Sequence, residues 1–151
     1  MSMNNITKLK NILNEEIKGY GELIDLLRRE KDYLIELNIT GIENISKEKD
    51  TLILKLRLFE QERMNLLKEL LQDDKDAKEI TLQRLYELTG DETLKEMRLK
   101  LISMLQSIEE LNEFNGILIE RSLSFVKSSL AFLKASGIET KFRETTLSRK
   151  A

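Results

Sequence analysis

From Ile6 to Leu37 the apolar residues recur at alternating steps of three and four, through Leu9, Leu13, Tyr20, Leu23, Leu27 and Leu34. That period is the signature of one long amphipathic helix with a narrow apolar seam. A second run obeys the same rule through Ile42, Ile45, Leu52, Leu56, Phe59, Leu66 and Leu70. The chain has no proline, so nothing in either run must break a helix. Between the runs lies Asn38-Ile39-Thr40-Gly41, where Thr40 and Glu43 form a capping box that would open the second helix.

The two runs should close as an antiparallel hairpin, in which the numbers of facing positions add to a constant. That constant is 79: Leu37 faces Ile42, Leu27 faces Leu52, Tyr20 faces Phe59 and Leu9 faces Leu70. A three-four repeat reads the same backwards, so the apolar pairs alone are weak support. The charged seats are stronger. Glu30 and Lys49, and likewise Glu16 and Arg63, occupy seam positions whose numbers also sum to 79. Each acid thus meets a base, and such pairs set register. The two acids lie 14 residues apart on one helix, or ~21 Å, too far for a catalytic carboxylate pair.

Past the hairpin, Gln72 to Lys78 is a polar break whose aspartates lack the glycine and ligand spacing of a calcium loop. Asp76 and Glu79 can cap a short helix from Ile80 to Leu88 that turns Ile80, Leu85 and Leu88 inward. The longest helix then runs from about Glu92 to Ser136, with Gly137 placed as its C-terminal cap. At that length it would extend on the order of 65 Å. The expected fold is all-α: an elongated antiparallel hairpin plus a long C-terminal helix, a three-helix coiled-coil-like bundle with one short extra helix. Residues 1–137 form the helical bundle domain and 138–151 a flexible polar tail.

The long helix carries two apolar stripes. One runs through Leu94, Met97, Leu101, Met104, Ile108 and Leu111, and continues through Asn115, Leu118, Ser122, Phe125, Ser129 and Phe132. Beside it lie Leu105, Asn112, Ile119, Leu123, Val126, Leu130 and Leu133. Two stripes need two partners, and the hairpin supplies one. The surplus stripe closes the bundle core, makes a homodimer seam, or receives another protein's amphipathic segment. Asn112 and Asn115 either hydrogen-bond an incoming backbone or set register.

Several function classes fall away. The chain lacks cysteine and histidine, which removes thiolate nucleophiles, disulfides, the commonest general base and the commonest metal ligands. Lys and Arg number 25 against 27 acids, a net charge of −2 with the signs interspersed, so there is no field for nucleic acid or an anionic membrane. Gly19-Tyr20-Gly21 is not a phosphate loop, because Ile24 breaks the spacing and no strand precedes it. No apolar run reaches bilayer length, and nothing near the N-terminus resembles a signal peptide. We expect a cytoplasmic binding protein rather than an enzyme, with no cofactor, no metal and no membrane insertion.

The order of these features resembles the FlgN family: Glu30 late in the first helix, Lys49 and Arg63 in the second, then Asn112-x-x-Asn115 and Ser122-Leu123 in a long final helix. The similarity covers about residues 8 to 135. It implies a flagellar type III export chaperone that binds the C-terminal helical segments of the hook-filament junction proteins FlgK and FlgL. Such chaperones prevent premature polymerisation and deliver their clients to the export gate protein FlhA. By that resemblance Asn112, Asn115, Leu118, Ser122 and Leu123 belong to the client-binding helix, which the stripe extends to Ile119, Val126 and Leu130. Family members often carry a tail tyrosine followed a few residues later by glycine, used in gate docking. Here the tail has no tyrosine, and Phe142 is the aromatic residue it offers. The alternative is a structural coiled-coil adaptor acting by self-association.

Overall fold

The computed structural model describes residues 3–74 and 79–136. Four helices follow in order: α1 (Met3–Glu36), α2 (Ile39–Leu70), α3 (Leu82–Thr89) and α4 (Glu92–Ala135). There is no strand among the described residues. Asp76, Gly137, Phe142 and the whole segment 138–151 lie outside them.

The hairpin turn is tighter than a Thr40 cap would make it. Leu37 takes a left-handed φ of 56° and ends α1, and Asn38 caps α2, its Oδ1 accepting from the Gly41 amide at 3.0 Å. Thr40 therefore lies inside the helix. The Thr40–Glu43 capping box is thus not the one that opens α2; after the left-handed turn it is the Asn38 side chain that reaches a free N–H. Gly41 allows the tight return, because a Cβ there would sit 2.7 Å from the Tyr33 ring. Gly19 plays the same part midway, where a Cβ would meet Leu56 Cδ2 at 2.6 Å. Holding a leucine left-handed costs about 1–2 kcal/mol.

α1 is the central helix. α2 returns antiparallel along it and α4 runs parallel to it, while α2 and α4 stay more than 8 Å apart between Cα atoms. Polarity follows from two ties: Lys10 Nζ lies 2.6 Å from Asp91 Oδ2 near the start of both helices, and Asn115 reaches Leu27 and Glu30 farther along. The core is thickest at the base, where Leu9 and Leu13, Leu67 and Leu70, Leu85, and Leu94 and Leu101 meet from all four helices. Towards the tip it thins to Leu23, Leu27, Ile45, Leu52 and Leu56, with Ile108 and Leu111 laid against them.

The short helix starts two residues later than its apolar pattern suggested. Thr81 caps it, accepting from the Arg84 amide at 3.1 Å, and of its expected inward residues only Leu85 is buried, Ile80 and Leu88 being exposed. Arg84 explains the shift: it grips both carboxylate oxygens of Asp74 at 2.6 and 3.1 Å, drawing the start of α3 to the end of α2.

Asp91 is both cap and tie at the start of α4. Its Oδ1 accepts from the Thr93 amide at 3.1 Å, and the Lys10 ammonium bonded to Oδ2 holds its carboxyl below the ordinary value of 3.8. Asp91→Ala should cost about 1–2 kcal/mol in urea unfolding at neutral pH. The native pKa is depressed, so the contribution is present above the ordinary value and fades as pH falls through the lower native one. Wild type and variant should converge at acid pH.

Candidate functional site

The seam charges lie where the hairpin register puts them. Lys49 Nζ is 2.6 Å from Glu30 Oε2, and Arg63 Nη1 is 2.7 Å from Glu16 Oε2. Both carboxylates are buried. Glu16 Oε1 has no hydrogen-bond partner among the described residues, and desolvation raises the Glu16 pKa although Arg63 opposes it. The native state therefore takes up a proton more readily than the unfolded chain. Ionised Glu16 costs stability at neutral pH, and that cost is relieved as pH falls towards the ordinary 4.5. Relative to Glu16→Gln, wild type should gain in urea midpoint over that descent; parallel pH profiles of the two proteins would contradict this.

Asn115 is only 1% exposed and belongs to the interior. Its Nδ2 donates to the Leu27 carbonyl and to Glu30 Oε1, each at 2.9 Å. With Lys49 on the other Glu30 oxygen, one polar knot ties α1, α2 and α4 together. Of the two roles open to Asn115, the structure shows the register-setting one, so it leaves the set of residues available to a partner. Asn112, three residues earlier, is exposed.

Beyond Asn115 the bundle runs out. The offset between α1 and α4 brings α4 past the hairpin tip near residue 120, so roughly 15 further residues, ~22 Å of helix, continue beyond the last turn of α1 with no other described helix running along them. Leu118 and Ser122, at the tip, are half-buried. On the projection the surplus stripe is in solvent: Leu123 is 57% and Val126 52% exposed, with Ile119 close behind and Leu130 half-buried. The inner stripe is uncovered there as well, Phe125 being 66% and Phe132 72% exposed. Among the described residues, then, the end of α4 is apolar on two adjacent faces and buried on neither, and exposed apolar area of that kind is what interfaces use.

Three apolar residues at the hairpin tip, Ile35, Leu37 and Ile39, are exposed too, and the first two stand next to Leu118 and Phe125 of α4. The seam period had placed Leu37 against Ile42. The readable signal was the occurrence of Ile39 in a turn, where Gly, Asn, Asp or Ser is the usual choice.

No group of side chains that could hold a metal occurs among the described residues, and no described helix is long and apolar enough to cross a membrane. No curated protein and no solved structure matches the chain. A family model described as FlgN protein matches residues 1–141. With the match running over nearly the whole of this all-helical chain, the chain belongs to the FlgN family and is a flagellar export chaperone.

Proposed function

We propose that the projecting part of α4 is the client-binding surface, and that the clients are the C-terminal helical segments of the hook-filament junction proteins FlgK and FlgL. One observation carries the reading: past the hairpin tip both apolar stripes of α4 face solvent, with Leu123, Phe125, Val126 and Phe132 unburied. A client helix laid along Ile119, Leu123, Val126 and Leu130 would bury its own apolar face there, which is the face that would otherwise drive assembly. Leu118 and Ser122 flank that track near the tip, and Asn112 stands at its bundle end. The chaperone then holds the subunit unpolymerised in the cytoplasm and presents it to FlhA, with Phe142 as the aromatic contact of the tail.

Titration calorimetry of the chain with a C-terminal FlgK fragment tests this. A saturable 1:1 complex is the expected result, and absence of binding would overturn it. Light scattering on the free chain tests the rival use of the same face, since a tight dimer that persists on dilution would assign the stripe to self-association.

A further inference from the structure

Leu37 is costly where it stands. Its backbone is held left-handed, a region that a Cβ disfavours, and its side chain is 57% exposed, so burial within the chain recovers little. Glycine or asparagine would close the same turn without that cost. A residue held in a sparsely populated conformation with no compensation inside the chain points to a use outside it.

The tip does not stand alone. Leu37 and Ile35 face Leu118, Ser122 and Phe125 of α4 across a notch of about 390 Å³. Arg121 stands in the notch wall and makes no ion pair among the described residues.

α4 crosses the tip at this point and continues outward. A helix lying on the projecting face and running towards the bundle would meet the tip as a stop, so the notch suits the end of a helix better than its middle. Charge decides which end. The last carbonyls of a helix leave its C-terminus partly negative, and a chain that finishes there adds a full carboxylate. An N-terminal end would set positive against Arg121.

We propose that the notch is an end-stop for the apolar C-terminal end of a bound helix. Leu37 and Phe125 grip its last apolar side chains, and the Arg121 guanidinium pairs with its terminal carboxylate. This rests on the client-binding reading and adds two things to it: the bound helix runs antiparallel to α4, and its register is counted from its last residue. Charge disfavours the other occupants. Residues 137–151 carry Lys141, Arg143, Arg149 and Lys150 against Glu139 and Glu144, and the projection of a second copy carries Arg121, Lys127 and Lys134 with no acid after Glu120.

The test is fluorescence anisotropy with an amino-terminally labelled peptide of the FlgK C-terminal segment, as free acid and as C-terminal amide, on the full chain. Amidation should weaken binding about tenfold. Arg121→Ala should weaken the free acid by a similar factor and abolish the difference between the two peptides. Leu37→Gly should also weaken binding about tenfold, yet raise the unfolding midpoint, because glycine accepts the left-handed turn; a merely structural leucine would not move the two readouts in opposite directions. Equal affinity for acid and amide, or a difference that survives in Arg121→Ala, overturns the end-stop and leaves the client-binding reading intact. Failure of both peptides to bind wild type overturns both.

Discussion

Leu123→Glu is expected to weaken the client complex by about two orders of magnitude while leaving the unfolding midpoint of the free chaperone unchanged. Leu123 lies on the projecting part of α4 and is more than half exposed in the free chain, so replacing it removes little that holds the bundle together. In the complex the leucine would be buried, which contributes about 1.5–3 kcal/mol. A glutamate in its place must also be desolvated with no partner, a further cost of about 1–3 kcal/mol. Even the lower halves of these ranges sum to roughly 3 kcal/mol, more than a hundredfold in Kd. Leu54→Glu is the control, since Leu54 is equally exposed but lies on α2, and it should change neither quantity. Calorimetry for binding and thermal melts for stability decide the matter. A Leu123→Glu complex within threefold of wild type would remove the projecting face from the client site, and a lowered midpoint would mean that the leucine serves the bundle.

That surface was legible in the sequence as a surplus of apolar stripe, but its position was not. Period assigns a residue to a face of its own helix, and it does not say which neighbour covers that face. The hairpin escaped this limit because its turn is short and its seam charges are complementary: Glu30 with Lys49 and Glu16 with Arg63 admit one register. α4 had no such anchor. About twenty residues separate it from α2, and its offset against α1 depends on Lys10 with Asp91 and on Asn115 with Leu27, ties between positions that no local pattern links. Without the offset, the point where α4 leaves the bundle is unknown. For the same reason Asn115 could be read as reaching outward to a partner or inward to the seam. A three-four count puts Leu37 in the seam and Ile39 in the turn because it does not register that the chain has turned left-handed.

The largest effect on stability should come from the knot that Asn115 completes. Glu30 accepts from Lys49 on one oxygen and from Asn115 on the other, so Glu30→Leu strands an ammonium group and one amide proton together. Breaking a buried pair from one side costs roughly 3–5 kcal/mol. Lys49 keeps 20% of its side chain exposed, which places the expected loss near the lower end, about 3 kcal/mol. Adding Lys49→Leu should recover part of it, because an apolar pair replaces an ion pair. Recovery should stop short of wild type, since Asn115 would still hold an unsatisfied donor in an apolar setting. A third change, Asn115→Leu, removes that donor and also Oδ1, which has no hydrogen-bond partner among the described residues even in wild type. Urea unfolding should therefore rank the triple variant above the double, and the double above Glu30→Leu alone. If the Glu30 and Lys49 substitutions were simply additive, the two residues would not be a coupled pair. If the triple variant gained nothing over the double, Asn115 would be a bystander, and the alignment of α4 against α1 would have to rest on the apolar contacts and the Lys10–Asp91 tie.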